Sequence, residues 1–101
     1  MTRSRKGSST SQLLTALGSP LRRRILRGME GDPTSPGKLA ESMGVPLSTV
    51  SYHVRILDRC AALELVKEKP VRGAIEHFYR SAVTAKWARM ALEESRAEDG
   101  D

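Results

Sequence analysis

PGKLAESMGVPLSTVSYHVRIL, residues 36–57, sets two helical signals around one turn. Ser35 and Pro36 suit a helix cap and a first helical position, and Leu39, Ala40 and Met43 supply a short apolar face. Gly44 suits the left-handed residue that closes such a helix. After Val45 and Pro46, the apolar residues Val50, Val54, Leu57 and Ala61 recur at steps of four, three and four, which predicts a longer amphipathic helix. Ser48, Tyr52, Arg55 and Arg59 fall opposite that stripe, with Thr49, Ser51 and Ile56 on its flanks. One face is built to pack and the other carries hydroxyls and charge. A supporting helix, a glycine turn and a helix with a small, polar start make a helix-turn-helix pattern. Its physical demand is that the early residues of the second helix stand clear enough to enter a major groove about 12 Å wide. Small Ser48, Thr49 and Ser51 permit that approach.

Upstream, Leu13, Leu14 and Leu17 lie at helical spacing and end at Gly18, after which Ser19 and Pro20 open another helix. Leu21, Ile25, Leu26 and Met29 form its apolar stripe until residues 28–33 break the pattern. Its other faces carry Arg22, Arg23, Arg24 and Arg27, read either as a solvated basic surface or as contacts to phosphate or an acidic partner. Downstream, residues 63–69 alternate roughly, 70–73 signal a turn, and 74–80 contain Ile75, Phe78 and Tyr79, predicting a β-hairpin. From Ala82, the residues Val83, Trp87, Met90 and Ala91 mark one face of a last helix. The order is four helices, a hairpin and a helix: an α+β, mainly helical fold.

The chain has 101 residues, with 17 Lys and Arg against 12 Asp and Glu, a formal charge of +5. That is one small domain whose surface attracts polyanions, so double-stranded nucleic acid is the first partner to consider. Residues 1–11 hold Arg3, Arg5 and Lys6 without an acid and read as a disordered basic tail. Residues 12–92 form the domain, and 93–101, with five acids against Arg96, read as a frayed acidic tail. Phosphate-binding and dinucleotide glycine patterns are missing. Ser51 and His53 stand two residues apart, on different sides of a helix, and no third group orients a base, so no enzyme is expected. Cys60 cannot form an internal disulfide and sits in apolar surroundings, the setting of a small core residue more than of a redox switch. With no apolar run of roughly 20 residues and no secretory h-region, the expected location is the cytoplasm.

Taken together, LGSPLRRRILRGM (17–29), LAESMGVPLSTVSYHVRIL (39–57), ELVKEKPVRGAIEHFYRS (64–81) and the final helix resemble the ArsR type (arsenic-repressor type) of winged helix-turn-helix transcriptional regulators. The family's Ser-x-His-φ-x-x-Leu string is matched by residues 51–57, and Arg72, Gly73 and Tyr79 look like its wing. The resemblance implies a winged helix-turn-helix with a two-stranded hairpin wing and a C-terminal dimerisation helix. It implies a homodimeric cytoplasmic regulator, a repressor occluding a promoter at a palindromic operator. DNA contacts would fall on Ser48, Thr49, Ser51, Tyr52, His53 and Arg55 of the recognition helix, and on Lys69, Arg72, Lys67 and Arg80 of the wing. The dimer contact would fall on Leu13, Leu14, Leu17, Val83, Trp87 and Met90. His53 borders the apolar stripe, so it reads equally as a hydrogen-bonding partner of a neighbouring helix.

Two positions depart from the family pattern. Pro46 stands where a Ser or Thr cap is common, and Ala61 where a Gly often closes the recognition helix. Many members sense metals through clustered Cys, His and carboxylates. Here Cys60 is alone, His77 lies on the hairpin and the last helix has no His, so no metal site and no cofactor are expected. The rival reading keeps the winged fold as a module binding an acidic protein. It differs from the DNA reading in salt response and in symmetry.

Overall fold

The computed structural model describes residues 7–100. Its elements are α1 (Thr10–Ala16), α2 (Pro20–Gly28), α3 (Pro36–Met43), α4 (Leu47–Arg59), β1 (Leu63–Val71), β2 (Ala74–Ser81), α5 (Lys86–Glu94) and α6 (Arg96–Asp99). This is a winged helix-turn-helix. Three helix starts have serine caps: the side chains of Ser9, Ser19 and Ser35 accept from the backbone N–H groups of Gln12, Arg22 and Lys38. Ser9 and Gln12 close a full capping box, so α1 begins at Thr10, inside the stretch read as a tail; residues 1–6 of that stretch lie outside the described residues. α4 has no side-chain cap, and the Pro46 carbonyl instead accepts from the N–H groups of Thr49 and Val50.

The core joins Ile25, Leu26 and Met29 of α2 to Val50, Val54 and Leu57 of α4, with Leu39, Leu63, Ala88 and Leu92 around them. α2 runs through Gly28, where a Cβ would stand 2.8 Å from the Leu39 side chain, so the absent side chain lets α3 lie close. Leu13, Leu17 and Val83 belong to this same core, so they present little surface of their own to a second copy. α1 and the segment after β2 fold back onto the chain's own interior, where Leu13, Ala16, Leu17 and Val83 are covered.

Antiparallel β1 and β2 pair from Leu63 with Ser81 to Val71 with Ala74, with a bulge between Leu65 and Lys67. Arg72 (φ 49°) and Gly73 (φ 81°) are both left-handed, as in the two-residue turns whose twist matches a hairpin. At the base, Thr34 and Tyr79 exchange both backbone hydrogen bonds, at 3.0 and 2.8 Å, and the Ser81 N–H donates to the Met29 carbonyl at 2.8 Å. The hairpin is thereby stitched to the loop between α2 and α3.

Ala61 takes φ 58° as the chain leaves α4, a left-handed conformation that crowds its Cβ. Relief of that crowding exceeds the entropy that glycine adds to the unfolded chain. Ala61→Gly should therefore raise stability by about 0.5–1 kcal/mol, which thermal melting will show as a gain of a few degrees. An unchanged or lower Tm would mean that the turn is not strained.

The C-terminal segment differs from the frayed tail expected of it. Asp99 on α6 accepts from Arg23 through both oxygens, at 2.7 and 2.8 Å, and from Arg27 at 2.9 Å. Its side chain is only 1% exposed and that of Arg27 only 2%. Arg27 also donates to the Leu92 carbonyl at 2.8 Å and to Ser95 Oγ at 3.1 Å, and Arg23 to the Leu17 carbonyl at 2.7 Å. Arg23 and Arg27 of α2 are thus committed to the chain's own C-terminal end.

Candidate nucleic-acid interface

Burial of Val50, Val54 and Leu57 against α2 and α3 fixes the rotation of α4 about its axis. Ser48, Tyr52, Arg55 and Arg59 are consequently exposed along the opposite side, as the four-three spacing predicts. Thr49, Ser51 and His53 are half-buried on the flanks.

His53 Nδ1 lies 3.2 Å from Arg22 Nη1, and Arg22 also donates to the Thr15 carbonyl through Nε at 3.1 Å and Nη2 at 2.8 Å. One guanidinium thus links α1, α2 and α4. Partial burial and then the Arg22 charge push the imidazole pKa below its ordinary value. A neutral ring accepting from Arg22 follows. Of the two readings of His53, the helix-to-helix hydrogen bond is the one present, and the ring also meets Tyr52 edge-on at 5.0 Å between centroids. It backs the reading face through Tyr52.

The wing candidates divide by height on the hairpin. Lys69 and Arg72 are exposed near the turn. Lower down, Lys67 Nζ sits 5.0 Å above the Phe78 ring and Arg80 pairs with Glu64 at 3.5 Å. Ser35, buried at the start of α3, donates to Glu76 at 2.7 Å and so ties that start to β2. Between wing and helices lies an open cleft of about 830 Å³ whose walls include Leu47, Val71, Arg72 and Ile75.

Two features of this surface escaped the sequence reading. Leu47 is 53% exposed at the first position of α4, although its spacing to Val50 and Val54 extends the core row. That spacing was the available signal, and it points inward. The Arg22 bridge had no local signal, because its partners are 7 and 31 residues away. Of the expected dimer residues, Leu14, Trp87 and Met90 are exposed, at 60%, 44% and 50%.

A helix-turn-helix domain family matches residues 17–66 of the chain. NolR from Sinorhizobium fredii has a similar structure, with a TM-score of 0.60 and 22% identity over 87% of this chain and 81% of that one. An ArsR-like transcriptional regulator from Rhodococcus sp. RHA1 is similar at a TM-score of 0.60 and 25% identity, over 87% of this chain and 75% of that one. The chain carries a helix-turn-helix domain in the winged fold of ArsR-like regulators. No curated protein sequence matches it. At the coarsest level, the helix-turn-helix domain and the fold shared with ArsR-like regulators make this a DNA-binding transcriptional regulator. Among the described residues, no group of three or more His, Cys, Asp or Glu could hold a metal ion, and no helix is long and apolar enough to cross a membrane.

Proposed function

We propose that this protein is an ArsR-type regulator, a homodimeric, sequence-specific repressor that acts in the cytoplasm by covering a promoter at a palindromic operator. The carrying observation is the row Ser48, Tyr52, Arg55 and Arg59, exposed on a helix whose other side is locked into the core. α4 of each copy enters the major groove, and Ser48, Thr49, Ser51 and Arg55 are the side chains nearest the bases, with Tyr52 backed by His53. Lys69 and Arg72 meet phosphates beside the groove. Lys67 and Arg80, already engaged by Phe78 and Glu64, serve as secondary backbone contacts. Dimer symmetry would set the two α4 helices about 34–36 Å apart on one DNA face.

Selection from random duplexes, followed by footprinting at two salt concentrations, tests this. A symmetric footprint and a steep fall of log affinity with log salt are expected. Failure to enrich any sequence, or a one-to-one protein complex without a footprint, would overturn the reading.

The second copy is assigned to the face of Leu14, Trp87 and Met90, with Leu13, Leu17 and Val83 supporting it from beneath. Large exposed apolar side chains of this kind mark interaction surfaces. Trp87→Glu combined with Met90→Glu should give a monomer in sedimentation and cut affinity for the full operator by roughly 100-fold or more, since the two half-sites are no longer linked. A dimer that survives both changes would place the interface elsewhere.

A further inference from the structure

We infer that Leu47 reads thymine: its side chain seats on the C5-methyl group of one base in each half-site. The inference rests on the proposed DNA reading and adds to it the chemical identity of one base. Every other large aliphatic residue of α4 is covered, Val50, Val54 and Leu57 fully and Ile56 in part. Leu47 alone among them stays more than half exposed. It extends the core row three residues toward the helix start, past the point where α2 and α3 cover it.

Nothing in the local structure uses its side chain. The helix start is closed by the Pro46 carbonyl, which accepts from the N–H groups of Thr49 and Val50, and this needs no leucine. Val71 and Ile75 stand on the same cleft, yet both remain exposed themselves, so the cleft does not bury Leu47. The residue immediately precedes Ser48, in the first turn, which is the part of a recognition helix that reaches base edges. In the major groove the one apolar group that base edges present is the thymine methyl. A leucine in that position therefore favours thymine over cytosine by contact and over purines by shape.

The test uses the selected operator with its thymines replaced one at a time by deoxyuridine, which removes the methyl and leaves base pairing intact. One symmetric pair of replacements should weaken the wild-type protein by about fourfold per half-site, the value of burying one methyl. Leu47→Ala should bind thymine and uracil duplexes equally, with an unchanged melting curve because the residue is exposed. The inference is overturned if no replacement affects the wild type, or if Leu47→Ala still discriminates between the two duplexes. Failure of the underlying DNA reading looks different: the wild-type protein would enrich no operator at all, and the inference would fall with it.

Discussion

Arg27→Ala should melt about 15 °C below the wild type. Its guanidinium is buried, bound to Asp99, the Leu92 carbonyl and Ser95. Removing one member of a buried, hydrogen-bonded ion pair costs about 3–5 kcal/mol, since the remaining charge and acceptors stay buried without compensation. Arg23 still holds Asp99 in this variant, which places the loss at the lower end, about 3 kcal/mol. In a domain of this size, 1 kcal/mol corresponds to about 5 °C, against a total stability of about 5–15 kcal/mol. A shift under about 3 °C in differential scanning calorimetry would show that the C-terminal segment is not docked in solution.

The same cluster sets the acid side of the stability curve. Hydrogen bonds from Arg23, joined by those from Arg27 and opposed by burial, hold the Asp99 carboxyl well below the usual carboxylate range. A carboxyl with a lowered folded-state pKa contributes stability above its unfolded pKa and loses it as pH falls toward the folded value. Stability should thus decline as pH drops below about 5. Asp99→Asn should be less stable at pH 7 and lack that part of the acid slope. An acid limb of equal steepness in both proteins would assign the slope to other carboxylates.

Arg55→Ala should lose about 1–3 kcal/mol of operator affinity per half-site, roughly 5- to 150-fold, and relax the preference at one base position. Arg55 stands at the centre of the exposed row, with the reach for a two-pronged contact to guanine. Arg72→Ala supplies the contrast. A phosphate contact carries no sequence information, so its loss should weaken all duplexes alike and make the salt slope shallower by about one. Repeating the duplex selection with each variant separates the two roles. Unchanged base preference in Arg55→Ala would move it from the bases to the backbone.

The two faces of α4 were legible from residue spacing because burial of Val50, Val54 and Leu57 is a periodic signal that orients every other side chain of the helix. The hairpin was equally legible, since Arg72 and Gly73 mark its turn. Periodicity fails at a different point: it identifies apolar rows without saying what covers them. Leu13, Leu17 and Val83 are covered by this chain itself, whereas Leu14, Trp87 and Met90 are not. Leu47 shows the converse, a residue in core register with no wall opposite. The partner of two arginines on α2 was illegible for a third reason. Arg23 and Arg27 find their partner 76 and 72 residues away, and no local pattern links residues so far apart.

Thr34 and Tyr79, joined by two backbone bonds, make the lower hairpin part of the same rigid body as the helices. The base of the wing is accordingly held in fixed relation to the helices rather than on an adjustable arm. DNA carrying an extra base pair between the points where Arg55 and Arg72 are proposed to touch it would have to bend or unwind to satisfy both. Spacing errors would then be resisted by the mechanics of the duplex, so that discrimination extends to base pairs no side chain meets.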